Sequence, residues 1–147
     1  MLMVVDYDVK IDPRHLESVD RNYGDIDVLA FDRDLEVLYN IECKDTVMAK
    51  NIYQMYLEIR KYLGLNEDEK KDALIWKHYH RHEWLREHKQ EMANYLKVAE
   101  VKDVKSIVVT STVLPLTYLK GNESPLPIVS YRDMVMAEGD MGALCGG

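Results

Sequence analysis

The chain has 147 residues, of which 47% are apolar and 31% charged, with a formal net charge of −7 at pH 7. That composition describes one globular domain able to bury a core without disulfide or metal staples, and it excludes a disordered chain. No apolar run approaches the roughly 18 residues of a membrane helix, and the acidic balance counts against nucleic-acid affinity unless a local basic patch or a bound cation offsets it.

The opening residues, MLMVVDYDVK, carry two aspartates and lack a small-residue cleavage site. They are expected to be structure rather than a secretory signal. Val4, Val5, Tyr7, Val9 and Ile11 mark residues 2–11 as a first strand. Residues 13–23 are polar and read as a connection. Residues 25–31 form a second strand, residues 32–34 (Asp-Arg-Asp) a turn, and residues 36–44 a third strand, completing an antiparallel meander.

The period then changes. Ile52, Tyr56, Ile59 and Leu63 make the stripe of an amphipathic helix over residues 49–63, which Gly64 ends. Asn66 followed by Glu69 predicts a capped start for a second, highly charged helical region over 67–98, with a break near residues 80–83. Residues 106–114, SIVVTSTVL, predict a buried strand. Residues 128–131, preceded by Pro125 and Pro127, predict a short edge strand. The expectation is an α/β fold with a mixed sheet flanked by helices. It would occupy residues 1–134, with a helical insertion at about 66–100 and a flexible tail over 135–147. Cys43 and Cys145 lie far apart and are not expected to pair, which fits a reducing, cytoplasmic setting.

Charges interrupt the meander where burial is expected. Side chains alternate along a strand, so Asp25 and Asp27 share a face of the second strand, and Glu42 and Lys44 share a face of the third. A turn centred on Arg33 and Asp34 would set Asp25 opposite Glu42 and Asp27 diagonal to it. Converging carboxylates repel unless a cation joins them. A hard divalent ion such as Mg²⁺ or Mn²⁺ would resolve the conflict. The alternative is a hairpin whose polar face meets water.

Gly24-Asp25-Ile26-Asp27-Val28-Leu29-Ala30, followed by Asn40-Ile41-Glu42-Cys43-Lys44, resembles the PD-(D/E)-x-K nuclease superfamily, including Holliday-junction resolvases. The close likeness covers about twenty residues. It extends loosely over the order strand, strand, strand, helix, strand. The resemblance implies a restriction-endonuclease-like fold and a Mg²⁺- or Mn²⁺-dependent endonuclease acting on DNA. It implies that Asp27, Glu42 and the backbone carbonyl of Cys43 hold the metal and that Lys44 is the catalytic lysine. Asp25 and Gln54 would be accessory residues. Members of the superfamily usually begin with a helix; either it is absent here, or a longer parent chain or a partner subunit, such as a homodimer, supplies it. The competing expectation is a nuclease-like fold without catalysis, serving as an interaction or assembly module.

The segment WKHYHRHEWLREHK carries Lys77, Arg81, Arg86 and Lys89 among Trp76, Tyr79 and Trp84, a pattern suited to contact with nucleic acid. His78 and His82 lie one helical turn apart and would need a third ligand, such as Glu83, to hold a transition metal. A solvated helix face of mixed charge is the alternative.

Overall fold

The computed structural model describes residues 2–118, 124–138 and 140–145. Five strands hydrogen-bond in the order β1 (Leu2–Lys10), β2 (Asp25–Asp32), β3 (Val37–Lys44), β4 (Asp103–Thr110), β5 (Ile128–Ser130). β1 with β2 and β2 with β3 are antiparallel, and β4 with β5 is parallel, so the sheet is mixed. Among the described residues six α-helices accompany it, α1 (Ile52–Tyr62), α2 (Glu67–Lys70), α3 (Leu74–Glu87), α4 (Lys89–Leu96), α5 (Tyr131–Met136) and α6 (Met141–Leu144), with a 3-10 helix at Pro115–Tyr118. The chain divides into two compact units, Met1–Glu42 with His80–Ser106 and Cys43–Tyr79 with Ile107–Gly147, and the boundary falls within β3, close to the middle of α3 and within β4.

In the first unit, Ile26, Leu29, Phe31 and Leu38 from the hairpin pack with Trp84, Leu85, Met92 and Ala93 from α3 and α4. Burying a leucine-sized side chain stabilises by roughly 1.5–3 kcal/mol. The β2–β3 turn is set by Asp32, whose Oδ1 accepts from the amides of Asp34 at 2.9 Å and Leu35 at 3.1 Å. The Leu35 amide does most to hold this carboxyl below its ordinary pKa, against a smaller opposing effect of burial.

In the second unit, Tyr62, Ile75, Val108, Leu114 and Leu116 form the core. Asn51 caps α1 through the Gln54 amide, and Asn66 caps α2 through the Glu69 amide, both at 2.9 Å. Glu69 reaches back to the Leu65 amide at 2.9 Å and pairs with Arg60 at 2.7 Å, so the expected capping arrangement reaches one residue further upstream. Gly64 adopts φ +73, and a Cβ there would lie 2.7 Å from the Lys70 backbone nitrogen. Gly64→Ala is therefore expected to cost at least about 1–2 kcal/mol from the left-handed backbone alone, measured by urea unfolding. An unchanged midpoint would refute the strain.

Two expectations need correction. The charged helical region is continuous through residues 80–83, and its breaks fall at residues 71–73 and at His88. There the imidazole stacks on Trp84 at 4.2 Å and its Nδ1 contacts the Trp84 carbonyl at 2.8 Å, leaving the backbone at ψ 37. The expected tail also contains structure. Within it α5 runs on to Met136, and α6 is capped by the Asp140 carboxylate, which accepts from the Ala143 amide at 3.1 Å, and buries Met141.

Candidate functional site

The hairpin supplies the frame. Val28 pairs with Ile41 and Leu29 with Asn40. Continued by one step, that register would set Asp27, not Asp25, beside Glu42. The four-residue turn, with Glu36 at φ +55, shifts the alignment by two residues from the expected one. A two-residue shift preserves the face and exchanges one carboxylate for another. Asp25 lies exposed at the start of β2 and Asp27 is half-buried; Glu42 is only 7% exposed. Lys44 follows Glu42 by two positions on the same face of β3, half-buried, and its carbonyl accepts from Ser111 N at 2.9 Å. Cys43 is exposed near the strand's end.

Glu42 already has a cationic neighbour that the sequence reading placed elsewhere. Arg81 of α3 is 6% exposed, and its Nη1 lies 3.0 Å from Glu42 Oε2. The same guanidinium donates from Nε to the Tyr23 carbonyl at 3.0 Å and from Nη1 to the Asp25 carbonyl. Gly24 lies between those two carbonyls at φ +83, where a Cβ would come within 3.2 Å of Nη2. Arg81 therefore points inward and leaves the expected nucleic-acid patch. The planar fork suits this task, because one group satisfies two carbonyls and a carboxylate at once.

Beside this pair runs a short polar relay. Asn40 Nδ2 donates to Ser106 Oγ at 3.0 Å, and Ser106 Oγ lies 2.8 Å from His82 Nδ1. The serine hydroxyl can then donate to a neutral imidazole. Burial pushes the His82 pKa down, the nearby Arg86 charge adds to that, and Asp103 and Glu83 oppose it. The folded state thus binds a proton less readily than the unfolded chain. His82 favours the native state above the unfolded value of about 6.5, and that contribution is lost as pH falls through the window below it. Wild type is expected to lose stability between pH 7 and 5 more steeply than His82→Gln, compared by urea unfolding at each pH. Parallel curves would rule this out.

The remaining basic residues are distributed along the helices. Lys77 and Arg86 are exposed, while Lys89 is half-buried and donates from Nζ to the Lys102 carbonyl at 2.7 Å. Trp84, a candidate for stacking on bases, is 3% exposed and packs 6.2 Å from Tyr23. Trp76 instead meets Tyr79 edge-on at 5.7 Å and carries Lys70 over its ring. Gln54 Oε1 accepts from the Lys50 amide at 2.7 Å and so closes the loop ahead of α1. Among the described residues no group of three or more His, Cys, Asp or Glu side chains is placed to hold a metal ion, which leaves the His78 and His82 spacing without a completed site. Among them, too, no helix is long and apolar enough to cross a membrane.

The Arg81–Glu42 pair was the residue pairing missed from sequence. A signal for it existed, since Ile75, His78, Arg81 and Leu85 recur at helical spacing and all are buried.

Neither the curated proteins nor the solved structures contain a match to this chain. A family model does match, over residues 5–125, and its description is "Anti-phage protein Upx-like". The matched span takes in the whole hairpin, the Arg81 cradle and the Asn40–Ser106–His82 relay, and on that match the chain belongs to the Upx-like anti-phage family.

Proposed function

We propose that this chain is a metal-dependent nuclease of restriction-endonuclease-like fold that protects its host by cutting phage DNA. What supports the reading is the hairpin: Val28 pairs with Ile41, and one further step in that register would set Asp27 beside Glu42, two positions before Lys44 in β3. Membership of an anti-phage family gives such chemistry a purpose.

The donors suit Mg²⁺ or Mn²⁺. Two carboxylates and the Cys43 carbonyl are hard oxygens, and Mg²⁺ commonly takes only one or two protein carboxylates and fills its shell with water and substrate phosphate. When bound, such an ion supplies a water of lowered pKa and offsets negative charge at the phosphorus. The chain's own residues do the rest. Arg81 fixes the direction of the Glu42 carboxylate, because Oε2 is tied to a guanidinium that is itself anchored on two backbone carbonyls. Lys44 would donate to a phosphate oxygen as charge grows there. Asp25, exposed and two residues from Asp27, would act only through the local field.

The second reading is a non-catalytic nuclease-like module. The buried Arg81–Glu42 pair favours it, since a guanidinium already neutralises the carboxylate without any metal. Incubation of the purified chain with supercoiled plasmid and with branched duplex DNA, in Mn²⁺ and in EDTA, separates the two. Cleavage confined to Mn²⁺ is expected. An intact substrate, together with no Mn²⁺ binding at millimolar concentration, would favour the module.

A further inference from the structure

The second unit contains a cavity of about 490 Å³ between α1 and the loop that leads into it. Its size falls in the range of small-molecule sites. Its chemistry is mixed in an informative way. Leu57 and Tyr62 give an apolar wall, while Lys50, Gln54, Glu58 and Lys61 bring polar groups to the same space. Neither lysine forms an ion pair among the described residues, although Lys61 Nζ sits 5.7 Å from the Tyr62 ring centre. Glu58 takes a hydrogen bond from the Leu116 amide, and its Oε1 is buried with no hydrogen-bond partner among the described residues.

We infer that this cavity binds a nucleotide, with the phosphate held by Lys50 and Lys61, the base against Leu57 and Tyr62, and an N–H of the base donated to Glu58. Each part answers a group that the cavity presents. Two exposed ammonium groups with no carboxylate partner among the described residues suit an anion at the rim. A buried carboxyl oxygen without a donor suits an amino or imino hydrogen. The wall between them is apolar and partly aromatic, which suits a flat heterocycle. A fatty or purely hydrophobic ligand would leave the lysines and Glu58 unanswered, and inorganic phosphate would leave the wall empty. Burial pushes the Glu58 pKa up, so the carboxyl is more readily protonated than an ordinary glutamate and can also present a hydrogen to a ring nitrogen. This site goes beyond the nuclease reading and does not need it, since Lys50, Leu57, Glu58, Lys61 and Tyr62, which would hold the nucleotide, all lie outside the residues assigned to the nuclease site.

The nucleotide could be free or part of a strand, and one titration separates the sources. The full chain, kept in EDTA so that no cleavage occurs, is titrated by calorimetry with the four ribonucleoside 5′-monophosphates and with a mixed-sequence single-stranded 12-mer. Saturable binding of monophosphates supports the inference with a free nucleotide as ligand. Saturable binding of the 12-mer alone supports it with a strand as the source. In either case Lys50→Glu and Lys61→Glu, both at exposed positions, are each expected to weaken binding by at least about tenfold. Glu58→Leu is expected to level the affinities of the four bases. Binding of nothing tested, or binding that both lysine reversals leave unchanged, overturns the site. A base preference that survives Glu58→Leu overturns the role of Glu58. Because the readout is affinity without metal, failure here leaves the cleavage experiment standing, and failure of cleavage leaves this one standing.

Discussion

Arg81→Met is expected to lower the unfolding free energy by about 3–5 kcal/mol, the usual result of stranding one charge of a buried pair. Methionine roughly conserves the volume, so the loss reports charge and hydrogen bonding rather than a void. The Glu42 carboxylate would remain in a site where only 7% of the residue meets solvent, and the carbonyls of Tyr23 and Asp25 would lose their common donor. Adding Glu42→Gln to Arg81→Met should restore part of the stability, because the uncompensated charge is removed while the two carbonyls stay undersatisfied. The double mutant should then lose less than the sum of the singles, by an amount within the roughly 0.5–3 kcal/mol found for coupled neighbours. Urea unfolding followed by tryptophan fluorescence measures all three. Strict additivity would mean that the two side chains do not interact in solution.

On the nuclease reading, Asp27→Asn and Lys44→Ala should each slow Mn²⁺-dependent plasmid nicking by about 100-fold or more, the scale on which one preorganised electrostatic contact acts in catalysis. The two variants should differ in mechanism. Asparagine keeps the shape of aspartate and removes its charge, so Asp27→Asn should also weaken Mn²⁺ binding measured by calorimetry. Lys44→Ala removes a cation and should leave Mn²⁺ affinity unchanged or improved. Both positions are half-buried rather than fully enclosed, so the unfolding midpoints should shift little. Wild-type rates in Lys44→Ala would end the assignment of this lysine to the chemistry.

Much of the sheet is legible from local pattern. The period-two alternation of residues 25–31 and 36–44, the Asp-Arg-Asp turn and the stripe of α1 each carry their own instruction, and each appears within a few residues of its expected place. The register was less accessible. It depends on how many residues the turn uses, and Leu35, an apolar residue, joins the turn and stays exposed there. The fate of Arg81 lay further from local pattern. Among Lys77, Arg86 and Lys89 it reads as one more surface cation, and only the tertiary position of two carbonyls and Glu42 makes burial favourable. The break at His88 was similarly hidden, since it follows from a ring stacked on Trp84 rather than from a glycine or proline.

Gly24 meets Arg81 closely enough that replacements at the two positions are expected to be coupled during evolution. A lineage that gains a side chain at 24 must accept both a disfavoured backbone angle and a displaced guanidinium, and one that exchanges Arg81 for a shorter residue relaxes the demand for glycine. Correlated replacement at 24, 42 and 81 is the mark this cradle should leave across descendants of a common ancestor.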